Sequence, residues 1–218
     1  MKKVAMSALP SFLLLFLLAA LPVRIMAMDL ADEPTKNLIA FVEKAAKLVE
    51  TKGEAAFPEF RVKGGEWFKE TYVSVWTPQG VCLCHPVSTD LEGKMALDLT
   101  DPEGRPIAKW WTELLAEHDS CWIHYKWPEP GQTEPVWKHA YRVKVKGPEG
   151  KVYLVGAGGY KLKIQPLFVQ DSVERAVELL ASKGQGAFEE FNDPKGRFIY
   201  EDAILLPVWE GVEIREKR

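Results

Sequence analysis

The side chains best suited to chemistry in this sequence are Lys138, Tyr125, Tyr141, Trp76, Trp127 and His85, all on or beside strand-like segments. A lysine ammonium with two tyrosine hydroxyls supplies donors for a small carboxylate, and indole walls exclude water from such a site. Side chains alternate along a strand, so Ile123, Tyr125 and Trp127 share one face of a strand over 120–127. On a strand over 136–145, His139, Tyr141, Val143 and Val145 share what reads as the inner face. Alternation sets Lys138 opposite Tyr141, so a pocket using both needs a bulge. Filling the core is the alternative use of these rings. His85, where a strand leaves for a loop, either contacts a ligand or pins the loop by a hydrogen bond.

Other chemistry is poorly supplied. The sequence contains no G-x-S-x-G elbow, no P-loop and no H-E-x-x-H pair. Gly156-Ala157-Gly158-Gly159 lies within a terminal strand rather than between strand and helix, which suits close backbone approach better than phosphate binding. Cys82 and Cys84 are spaced to share a strand face, and with Cys121 and His85 they admit a metal or thiol-redox reading beside that of small core residues. No catalytic residue, resident metal or cofactor is assigned, and the expectation is a protein that is not an enzyme.

The elements that must position these side chains follow from periodicity. Leu38, Val42, Ala45, Ala46 and Val49 mark one face of a helix over 34–52, closed by Gly53. Strands are predicted over 71–76 and 80–85, with Thr77-Pro78-Gln79 as their turn. A polar stretch with two turn signals leads to a helix over 106–117, where Trp110 and Trp111 are adjacent, so that one of them is expected to be exposed. Strands over 120–127, 136–145 and 152–160 complete an antiparallel sheet of about five, with helices on one face. The fold class is α+β.

Two features lie outside that unit. The pattern of 45–60 recurs at 176–191, a fixed offset of 131 that pairs Lys52-Gly53 with Lys183-Gly184 and Ala56-Phe57 with Ala187-Phe188. The second occurrence predicts a helix capped by Asp171 or Ser172 and ended by Gly184, then strands over 203–206 and 212–214. At the other end, Lys2 and Lys3 precede an apolar run and the small-residue site Ile25-Met26-Ala27, the order of a secretory signal peptide over 1–27. An uncleaved anchor is the rival, weakened by Pro10, Pro22 and Arg24. Loss of 1–27 leaves 25 basic against 31 acidic residues, a balance of −6 that disfavours nucleic acid as a partner.

Read in order, Lys52-Gly53-Glu54-Ala55-Ala56-Phe57, Gly80-Val81-Cys82-Leu83-Cys84-His85-Pro86, Leu91-Glu92-Gly93-Lys94, Asp98-Leu99 and Asp101-Pro102-Glu103-Gly104 resemble the Cache family in its small single-Cache form. Trp122 through Pro128, Lys138-His139-Ala140-Tyr141 and Val155-Gly156-Ala157-Gly158 continue the series, and Asn192-Asp193-Pro194-Lys195-Gly196 resembles the family again. The resemblance implies a PAS-like antiparallel sheet with a long N-terminal helix, a Cache domain over 34–163 and a truncated second repeat over 170–218. It implies an extracytoplasmic module that binds a small metabolite, a carboxylate or amino acid, and acts in signal transduction or chemotaxis. Tyr125, Lys138 and Tyr141 fall where relatives keep pocket residues. The implied partners are that ligand, a membrane receptor or kinase, and a second copy of the chain in a homodimer. A structural or assembly module without a ligand is the alternative.

Overall fold

The computed structural model describes residues 30–201 together with 203 and 204. The expected signal peptide or anchor over 1–27 and the strand over 212–214 lie outside the described residues. Helix α1 (Glu33–Lys52) opens at Asp32, whose carboxylate accepts the Thr35 N–H at 3.0 Å and satisfies a first-turn donor, a cap worth about 1 kcal/mol. It ends at Gly53, whose φ of +57° is a conformation that favours glycine. A helical turn, α2 (Phe57–Phe60), follows.

The sheet comprises β1 (Ser74–Trp76), β2 (Cys82–Cys84), β3 (Ser120–Pro128), β4 (Pro135–Lys146) and β5 (Val152–Gly159), in the order β2-β1-β5-β4-β3 and antiparallel throughout. The chain leaves β2, passes through α3 (Ile107–Glu117) to the far edge at β3, and returns through β4 and β5 to β1. The first two strands are shorter than the sequence pattern suggests, and Phe68 and Tyr72 join only as an isolated bridge.

Both faces of the sheet are covered, which corrects the expectation of helices on one face. Alternation sorts the strands: Val75, Trp122, Tyr141, Val143, Tyr153 and Val155 pack against α1, while Trp76, Ile123, Tyr125, Ala140 and Leu154 pack against α3. Trp110 and Trp111 are both buried, because α3 lies in a trough whose far wall also needs filling. The two cysteines of β2 do not share a face. Val75 pairs with Cys84 and Trp76 with Cys82, so Leu83 is an extra residue that flips the alternation. Cys84 then joins the α1 side and Cys82 the α3 side. All three thiols are free and buried, and burial pushes each up to about 12. Among the described residues no three His, Cys, Asp or Glu side chains gather as a metal would require.

Beyond β5 come α4 (Pro166–Lys183), α5 (Ala187–Asn192), β6 (Ile199–Tyr200) and β7 (Ala203–Ile204), the last two a small hairpin. Helix α4 begins ahead of the anticipated cap; Ser172 is buried within it and bonds the Tyr200 hydroxyl. The devices of the first turn recur 131 positions on. Gly184 has φ +54°, Lys183 pairs with Glu190 as Lys52 does with Glu59, and the Gly196 N–H donates to Asp193 O as Gly65 does to Val62 O. Gln165 ties the two helix starts together, accepting from Asp32 N–H at 3.0 Å and donating to the Asp32 carboxylate at 3.1 Å.

Candidate functional site

Between the α3 face of the sheet and α3 lies a narrow cavity with about 20 Å³ open to the centre of a water molecule. Its floor comes from alternate residues of the strands. Lys138, Ala140 and Arg142 come from β4, Tyr125 and Trp127 from β3, and Ser74 and Trp76 from β1. Tyr72, before β1, and His85, after β2, close one end; Leu99, Ile107 and Trp111 form the roof. The roof loop is held by Asp101, whose carboxylate accepts from the Glu103, Arg105 and Lys126 N–H groups at 2.9–3.0 Å and from the Arg105 guanidinium at 2.9 Å. Burial opposes the Asp101 charge, but these donors outweigh it and hold its carboxyl below the usual carboxylate range.

Two cations line the cavity and no Asp or Glu does. Lys138, 3 % exposed, donates to the Tyr72 and Tyr160 hydroxyls at 3.0 and 2.9 Å, with its Nζ 4.2 and 4.6 Å from the two ring centroids. An ammonium has three N–H groups, so one remains for a ligand. Burial works against the Lys138 charge, but the hydroxyls of Tyr72, Tyr125 and Tyr160 prevail and raise its pKa above the ordinary lysine value. Arg142, 4 % exposed, lies with its guanidinium 4.0 Å from the Trp111 ring centroid and donates from Nη2 to Ser74 Oγ at 3.3 Å. Its Nε and Nη1 reach no acceptor, and neither does the Trp111 Nε1–H. Burial lowers the Arg142 pKa, yet a guanidinium stays charged at any working pH.

The glycines of β5 make room for both cations. A Cβ on Gly156 would stand 2.3 Å from Arg142 Cγ, and one on Gly158 would stand 2.5 Å from Lys138 Cε. Close approach, read from the glycine run in sequence, is therefore what these positions provide, and the approaching groups are the two cationic stems.

His85 has both roles considered for it in geometric terms. Its Nδ1 accepts the Ser88 N–H at 2.8 Å and pins the loop, while its ring borders the cavity 5.1 Å from the Tyr72 ring centroid. An Nδ1 that accepts leaves the neutral ring its proton on Nε2. Burial, with Lys138 and Arg142 nearby, pushes the His85 pKa down to about 3, so the ring is uncharged at neutral pH.

Of the six residues singled out from sequence, the structure brings Trp76, His85, Tyr125, Trp127 and Lys138 to this one cavity. Tyr141 is not with them. Strand β4 keeps regular register with β3 and β5, with no bulge, so Tyr141 packs on the α1 side with Trp122, their ring centroids 5.0 Å apart. Sequence reasoning missed Arg142, Tyr72, Trp111 and Tyr160. Counting by twos from Lys138 reaches Arg142, and from Trp76 reaches Tyr72, so alternation would have found two of them.

A family model described as Single Cache domain 2 matches residues 35–161, which is more than half of the chain. The chain belongs to that family, and its first five strands with α1 and α3 form a Cache sensor domain. A curated relative, the methyl-accepting chemotaxis protein McpP of Pseudomonas putida strain KT2440, is 28% identical over 88 residues. That match covers 40% of this chain and only 16% of the receptor. A methyl-accepting chemotaxis protein from Vibrio parahaemolyticus is similar in structure at 20% identity and a TM-score of 0.48, over 65% of this chain and 97% of that one. A periplasmic sensor domain of a chemotaxis protein is similar at 22% identity and a TM-score of 0.44, over 68% and 99% of the two chains. No helix among the described residues is long and apolar enough to cross a membrane.

Proposed function

We propose that the cavity beneath α3 binds a small carboxylate outside the cytoplasm and that its occupancy is passed to a separate signalling partner, without catalysis. The observation that carries this is the surplus of donors: Lys138 and Arg142 are buried with no carboxylate lining the cavity, and three of their neighbourhood N–H groups reach no acceptor. Buried unpaired N–H groups and uncompensated charge are costly, and an anion would relieve both at once. A carboxylate can accept from the third Lys138 N–H, the guanidinium edge and the His85 Nε2–H, while Trp76 and Trp127 keep water out. The name of the relative supports a chemotactic or related signalling role, with a receptor or kinase as the partner. The shared turns 131 positions apart support the reading of the segment from 170 onward as the start of a second Cache repeat.

Calorimetric titration of the full chain with acetate, lactate and succinate, each against its uncharged amide, tests the assignment. A carboxylate is expected to bind and its amide to fail. Because His85 is already neutral and Lys138 already charged, affinity is expected to stay flat between about pH 7 and about pH 8.5. Equal binding of acid and amide, or no binding by any acid, would overturn the proposal.

A further inference from the structure

The next rung of the ladder that carries the cavity faces the other way. Tyr125 pairs with Lys138 on the cavity side; beside them His124 pairs with His139 on the α1 side. The histidines are 4 % and 0 % exposed, and their Nδ1 atoms stand 2.8 Å apart. What covers them comes from the C-terminal segment. The Tyr200 ring lies 3.9 Å from that of His124, Phe168 lies 5.0 Å from both, and Glu201 Oε1 is 3.1 Å from His139 Nε2. Glu201 has φ +49°, the one positive φ outside glycine among the described residues. That conformation costs on the order of 1 kcal/mol, so the carboxylate is held against a local preference.

The contacts fix the protons. Glu201 accepts, so His139 carries a proton on Nε2 and, when neutral, accepts at Nδ1 from the Nδ1–H of His124. One added proton can be taken at His139, which then donates to both Glu201 and His124, with His124 moving its own proton to Nε2. A second leaves two N–H groups facing each other across 2.8 Å with no acceptor between them. Among the described residues, Glu201 is the ionised group acting on His139, and a protonated His139 in turn acts against charge on His124; Leu162 offers His139 its backbone alone. Of the neighbouring charges, Lys126 of β3 pairs with Glu103, and Asp171 of α4 stands 3.6 Å from Arg175. Burial pushes the Asp171 carboxyl up to about 6, so its protonation favours docking as pH falls and opposes the histidines.

We infer that His124, His139 and Glu201 form an acid-released latch holding the C-terminal segment, α4 to β6, against the back of the strands that carry the cavity. This goes beyond the carboxylate reading and does not depend on it. Burial lowers the pKa of both rings below the ordinary 6.5, with Glu201 partly restoring His139. A histidine freed by undocking regains its ordinary affinity for protons. Docking is therefore undiminished above about pH 6.5 and weakens as pH falls below it.

Hydrogen exchange of the full chain, corrected for intrinsic rates and followed from about pH 7.5 to about pH 5, reads the latch. Protection of α4 and β6 is expected to fall at least about tenfold, while α3 and β5 keep theirs. Glu201→Gln, which removes the charge that favours a protonated His139, should move release to higher pH. His124→Phe, which keeps a ring but no titration, should move it lower. If His124→Phe fails to fold, the half-buried Glu201→Gln decides alone. Unchanged protection at acid pH, loss in all elements together, or the wild-type midpoint in Glu201→Gln would overturn the latch.

Discussion

Lys138→Met is expected to weaken binding of a small carboxylate by about 10- to 100-fold, with the fold intact. A hydrogen bond to a charged group contributes about 1.5–3 kcal/mol, and each 1.4 kcal/mol is tenfold in affinity. The stem of Lys138 passes over Gly158 in space too narrow for a Cβ, and unbranched methionine follows the same path. Loss of the ammonium also leaves the Tyr72 and Tyr160 hydroxyls without their donor. A modest fall in melting temperature should therefore accompany the loss of affinity. Tyr141→Phe is the companion measurement. Its ring lies on the other face, so calorimetry should return the wild-type affinity. A Lys138→Met protein that binds as tightly as wild type would remove the ammonium from the site.

Gly156→Ala should strike both stability and binding. The added carbon would meet Arg142 Cγ at 2.3 Å and the Tyr141 backbone oxygen at 2.8 Å. That oxygen belongs to the β4–β5 ladder and cannot retreat, since Arg142 and Gly156 are register partners. Overpacking of this kind costs about 1–3 kcal/mol. For a chain of this size that is a fall of about 3–10 °C in melting temperature. Arg142 must also leave its place against Trp111, so carboxylate affinity falls with it. Gly186→Ala is the control, because its Cβ would meet nothing closer than Lys183 Cβ at 3.9 Å. Equal melting temperatures for the two variants would mean that Arg142 is not confined as described.

The elements were written in local patterns that sequence exposes. Spacing along 38–49 marks the face of α1, and Gly53 marks its end. Alternation in β3 to β5 gives the three long strands within a residue or two of their ends. Local pattern does not say which side of a sheet a later helix will cover, so all helices were placed on one face and one of the adjacent Trp110 and Trp111 was left outside. The bulge at Leu83 is also silent in sequence, since it arises from pairing with β1, and it separated two cysteines that alternation had joined. The site was legible as far as alternation was followed. Alternation set Lys138 and Tyr141 on opposite faces of one strand. The Tyr141 face was read as the inner one and Lys138 brought in by a bulge that the regular β4 ladder lacks, while Arg142, in step with Lys138, was passed over.

The small volume of the cavity sets the tempo of whatever it captures. About 20 Å³ of space for water centres holds one or two waters, so there is no room for a two-carbon acid beside these walls as they stand. Entry waits on displacement of the roof, Leu99, Ile107 and Trp111, from the strands below. The speed of capture then has a ceiling set by how often that roof lifts, however much ligand is supplied. Departure waits on the same motion. A module built this way averages over brief fluctuations in its surroundings and answers to concentrations that persist.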